Sequence, residues 1–134
     1  MLAKFLLPEN IARTDGIGPD VDLAVDRGKL LVITLGIEQV LEQERLTISV
    51  WGSPDRSNWG VGPLLSFPSK SYCGMYSLLL NLAKHPDVRY LRVEWKMSRW
   101  AAREITPLFG FYVFAEASGA RVRGATAITA TIVL

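Results

Sequence analysis

Between residues 89 and 99 apolar and polar side chains alternate one by one. Leu91, Val93, Trp95 and Met97 hold the odd positions, and Tyr90, Arg92, Glu94, Lys96 and Ser98 the even ones. Successive side chains of an extended strand point to opposite faces, so this period of two predicts a strand with a core face and a wet face. Residues 46–51 repeat the logic, with Leu46, Ile48 and Val50 on one side. A shorter case sets Val21, Leu23 and Val25 against Asp22, Ala24 and Asp26. Three further runs, residues 30–35, 75–82 and 108–115, are apolar on both faces and rich in branched and aromatic side chains. They predict strands covered on both sides, central in a sandwich or at an interface. The final segment, residues 126–134 (TAITATIVL), has high β propensity and carries neither charge nor proline. An unprotected strand of that kind is a template for pairing, so it predicts a paired strand that also contributes to contact between copies.

Turn residues punctuate these runs at short intervals: Asp15-Gly16, Gly18-Pro19, Arg27-Gly28, Gly52-Ser53-Pro54-Asp55, Gly62-Pro63, His85-Pro86-Asp87 and Ser118-Gly119. Many short strands at such spacing predict a single all-β domain over residues 1–134. The expected architecture is an antiparallel β-sandwich of the jelly-roll or discoidin-like kind, with little helix. The one helical competitor is residues 36–45, where Ile37, Val40 and Leu41 have helical spacing. We read it as a bent strand entering a hairpin at Glu42-Gln43-Glu44.

Two stretches carry a resemblance to a known family. Ile48-Ser49-Val50-Trp51-Gly52-Ser53-Pro54-Asp55-Arg56-Ser57-Asn58-Trp59 resembles a strand running into an S-x-D-G-x-x-W turn. Val88-Arg89-Tyr90-Leu91-Arg92-Val93 is similar to a late strand of the same family, the discoidin-like (galactose-binding-domain-like) β-sandwiches. Length and order agree, and the resemblance implies a β-sandwich. Arg56 stands where glycine is usual, and the flanking cysteine pair of extracellular members is absent. No binding residue carries over.

The chain has 134 residues, 49% of them hydrophobic and 21% charged. That length fits one domain with one core, and the apolar share exceeds what a fully wetted surface needs. Part of the surface is therefore expected to be covered by another copy or a protein partner. No run reaches the roughly 20 apolar residues that span a bilayer, and residues 1–13 fall short of a secretory signal. A single cysteine, Cys73, suits a reducing compartment, which makes the cytoplasm the expected location. Residues 1–60 hold six basic and nine acidic side chains, and residues 61–134 nine basic and four acidic. This asymmetry fits head-to-tail association or an anionic ligand, and equally two halves of one sandwich mixing their charges.

Candidate chemistry is sparse. His85, the only histidine, sits in a turn sequence where a solvated side chain explains it fully. Cys73, beside Tyr72 and Gly74, reads as a small buried hydrophobe rather than a nucleophile. One histidine and one cysteine cannot make a structural zinc site. Asp15, Asp20, Asp22 and Asp26 surround glycines and a proline without the spacing of an EF-hand, as turn-forming aspartates do, although calcium is a rival reading of that loop. The glycines follow no phosphate-binding pattern. No motif implies a cofactor or a catalytic constellation. The basic band Lys84, Arg89, Arg92, Lys96, Arg99 and Arg103 lacks the surroundings of a nucleic-acid-binding module, which makes nucleic acid an unexpected partner. Of the four tryptophans, Trp95 belongs to the core face of its strand, and Trp59 packs back under its own turn. Trp100 falls on the polar face in line with Arg92 and Lys96. Arg92, Lys96 and Trp100 are thus the candidate binding residues: an aromatic beside cations can stack on a sugar or be plugged by a neighbouring subunit. The sequence favours a non-enzymatic module acting by self-association or protein–protein contact, with a glycan-binding, lectin-like module as the rival.

Overall fold

A computed structural model describes residues 3–40, 44–99, 108–117 and 132–133. The strands are β1 (Ala3–Ala12), β2 (Gly16–Ile17), β3 (Val21–Asp22), β4 (Leu30–Val40), β5 (Glu44–Ser53), β6 (Leu65–Ser66), β7 (Gly74–Asn81), β8 (Tyr90–Arg99), β9 (Phe109–Ala117) and β10 (Ile132–Val133). The helices among the described residues are two single turns of 3-10 type, Ala24–Asp26 and Leu82–Lys84. The first sheet has the order β1-β9-β4-β7-β10. The second runs β2-β8-β5-β6, with β3 also pairing with β8. The two pack face to face around one continuous core, so the chain is an antiparallel β-sandwich.

The alternation read from the sequence builds this core. In the second sheet Leu46, Ile48 and Val50 of β5 and Leu91 and Val93 of β8 are buried. Facing them are Leu31, Ile33, Leu35 and Ile37 of β4 and Phe109, Phe111 and Val113 of β9, also buried. Trp95 packs against the rim of this core, edge to face with Phe111 at 5.8 Å, and donates its indole N–H to the Thr14 carbonyl at 2.9 Å.

Several expectations need correction. Residues 21–26 do not continue as a strand. Only Val21–Asp22 pairs, and Ala24, with φ at +52°, turns the chain into the 3-10 helix that buries Asp26. Lys29 Nζ lies 3.4 Å from Asp26 Oδ1, an ion pair without a hydrogen bond. Residues 36–40 are strand, as expected. Residues 42 and 43 of the expected hairpin turn lie outside the described residues, and among the described residues β4 pairs in the first sheet and β5 in the second rather than with each other. Cys73 is exposed, in the segment between β6 and β7. In the C-terminal segment Ile132–Val133 is a strand, and it pairs in parallel with β7, whereas the other strand pairings among the described residues are antiparallel. The remainder of residues 126–134 lies outside the described residues, as does Trp100.

Candidate functional site

Two outward faces differ in chemistry. On the second sheet, the β8 register against β5 sets Lys96 opposite Thr47, Glu94 opposite Ser49, Arg92 opposite Trp51 and Tyr90 opposite Ser53. These are the even positions of β8, turned away from the buried Leu91 and Val93. The face is a polar ladder: Thr47 and Ser69 hydroxyls meet at 2.8 Å, and those of Ser49 and Ser66 at 2.9 Å. Trp51 donates its indole N–H to Glu94 Oε1 at 3.0 Å.

The turn after β5 closes one end of this face. The buried Ser53 hydroxyl accepts from the backbone N–H groups of Asp55 and Arg56, at 3.1 and 2.8 Å. Asp55 Oδ1 accepts from Ser57 and Asn58 N–H at 2.8 and 2.9 Å. The N–H donors of Asn58 and then Ser57 hold the Asp55 carboxyl below its usual range. Arg56 has φ at +71°, a left-handed conformation that favours glycine. Trp59 folds back as expected, donating to the Arg56 carbonyl at 3.1 Å.

Arginines cover the aromatics at this end. The Arg92 guanidinium carbon lies 4.1 Å from the Trp59 ring centre, and that of Arg56 lies 4.6 Å from the Tyr90 ring. Arg89, also against Tyr90, donates to both Asp22 carboxylate oxygens at 3.3 Å. That pairing lowers the Asp22 pKa and raises the Arg89 pKa. Arg92 and Lys96 therefore share one face, as the alternation predicts, but Glu94 separates them. The Arg92–Trp59 stack was not legible in the sequence, because it depends on how the turn folds.

The outward face of the first sheet carries an aromatic band beside a hydroxyl pair, Thr34 and Ser77, which meet at 3.2 Å. Phe5, Phe114, Thr34 and Ser77 form one cross-strand row, and Tyr112, Gly36 and Met75 the next. Phe5 contacts Phe114 and Tyr112 edge to face, at 5.0 and 5.7 Å. Tyr112 lies across Gly36, where an added Cβ would run into its ring. Phe5 remains 45% exposed and Met75 71% exposed, so this aromatic band is open among the described residues. Phe5 at the N-terminal edge gave no sequence signal for the site, since the band is assembled from distant strands.

Among the described residues, no three His, Cys, Asp or Glu side chains are grouped to hold a metal ion, and no helix is long and apolar enough to cross a membrane. No protein-family model matches the chain, and no curated protein matches it either.

Proposed function

We propose that this domain is a non-enzymatic association module that joins a second copy of itself through the outward face of the first sheet. The observation that carries the reading is the Phe5–Phe114–Tyr112 cluster with Met75 beside it: large apolar side chains on an open sheet face. Exposed apolar clusters of this kind mark interaction surfaces, and a two-fold axis brings the same patch of two copies together. Light scattering over a concentration series tests it. The wild type forms dimers, and Phe5→Glu, at a position already half open, shifts the midpoint to about tenfold higher concentration or more with an unchanged circular dichroism spectrum. A wild-type monomer at every concentration overturns the reading.

A second reading rests on the other face. Trp51 and Trp59 stand beside serine and threonine hydroxyls, Glu94, Arg92 and Lys96, a set that suits a sugar ring and its hydroxyl groups. Trp100 follows directly in sequence and joins this lectin-like proposal on that ground alone. The kinship with discoidin-like sandwiches belongs to the same proposal. Its support is that Trp51–Ser53 and Tyr90–Arg92 are hydrogen-bonded neighbours, and that Arg56 takes up a glycine-type conformation where the family has glycine. A glycan array separates the readings: hits that disappear in Trp51→Ala and Trp100→Ala favour the lectin, and an empty array with retained dimerisation favours association.

A further inference from the structure

Arg92 is a cation with no counter-charge among the described residues. Its Nε is sealed from solvent and has no acceptor. Among the described residues no carboxylate lies within ion-pair distance of it. Three acids of the second sheet and its turn have donors of their own. Glu94 accepts from the Trp51 indole, Asp55 from the turn N–H groups of Ser57 and Asn58, and Asp22 from Arg89. The Trp59 ring lies against the guanidinium, its centre 4.1 Å from the Arg92 guanidinium carbon. A sealed Nε–H without an acceptor loses its hydration for nothing, and the terminal N–H groups of the same guanidinium, which are not among the sealed atoms, are the ones a ligand can reach.

From this we infer that Arg92, stacked on Trp59, is a receptor for the oxyanion of a small ligand: a carboxylate, sulfate or phosphate. The planar fork of Arg92 presents parallel N–H groups that match two oxygens of such an anion. Arg56, on the neighbouring Tyr90 one alternate position along β8, adds positive potential at the same end of the face. The Ser49–Ser66 hydroxyl pair lies one cross-strand row further along, where the rest of a ligand would sit. The site is on the second sheet and does not depend on dimerisation through the first.

The test is calorimetric titration at constant ionic strength with sodium sulfate, sodium phosphate, and a monosulfated disaccharide beside its unsulfated parent. The wild type shows saturable binding of oxyanions over chloride. Arg92→Gln weakens it by about tenfold or more, Arg92→Lys weakens it partially, and Lys84→Gln leaves it unchanged. If the sulfated disaccharide binds more tightly than free sulfate, the anion is carried on a sugar. Equal affinities make the free ion the ligand. On the wild-type protein itself, the arginine side-chain N–H signal of Arg92 shifts along the same isotherm, which reads the site without any variant. Absence of saturation with every oxyanion, or equal binding by Arg92→Gln, overturns the proposal.

Discussion

Trp95 and Lys96 are adjacent in sequence and opposite in consequence. Trp95 packs on Phe111 and ties its indole to the Thr14 carbonyl, while Lys96 stands exposed on the polar ladder. Trp95→Ala should therefore cost about 2–4 kcal/mol in chemical denaturation, the range for a large aromatic lost from the edge of a core. Lys96→Ala should stay within about 0.5 kcal/mol. Equal small effects at both would mean that the faces of β8 are reversed. Strict alternation made this contrast legible, because each residue's side follows from its parity. Cys73 had no such pattern around it. Its expected burial came from a general preference of cysteine, and the loop before β7 leaves it exposed.

At the scale of elements, the long strands were legible and the devices that join them were not. The alternating runs became β5 and β8, and the two-sided apolar runs became β4, β7 and β9. The 3-10 helix at Ala24–Asp26 escaped notice because Val21, Leu23 and Val25 alternate with Asp22, Ala24 and Asp26 through it, and alternation alone cannot report a left-handed residue. Among the described residues β4 does not pair with β5, because its sheet membership is settled by pairing with β7 and β9, far along the chain. The turn after β5 was visible as a string of breakers, but its wiring through Asp55 was not. That wiring makes the turn sensitive to acid. A carboxyl held below its usual range stabilises the fold above the unfolded pKa, and the contribution disappears as pH falls through the lower folded value. Asp22, lowered chiefly by Arg89, acts in the same sense. Glu38, raised by a hydrogen bond with Glu9, acts oppositely and loses its contribution as pH rises through its folded pKa. The wild-type melting temperature should fall between neutrality and a pH of about 3, and more shallowly in Asp55→Asn. A fall of identical slope in that variant would remove Asp55 as a cause.

At the scale of the whole molecule, two sheets share one core, and neither has an apolar inner face that could stand alone in water. Phe111 of the first sheet and Ile48 of the second are both fully buried in the same cluster. A sheet separated from its partner would expose that face, so the free energy of each depends on the other and unfolding should be a single cooperative step. The tryptophans make this testable. Trp51 and Trp95 lie on strands of the second sheet and Trp59 in the turn that follows β5, whereas far-ultraviolet circular dichroism reads the backbone of both sheets. Phe111→Ala removes a ring from the first sheet and should cost about 3–5 kcal/mol, and Ile48→Ala, in the second, about 2–5 kcal/mol. If the core is one unit, the fluorescence and circular dichroism curves coincide in both variants, and Phe111→Ala shifts the tryptophan signal as far as it shifts the backbone signal. If the sheets unfold separately, Phe111→Ala moves the circular dichroism midpoint while the tryptophans keep reporting a wild-type transition. That outcome would overturn the single shared core, and with it the assumption that a change on the outward face of one sheet leaves the platform of the other in place.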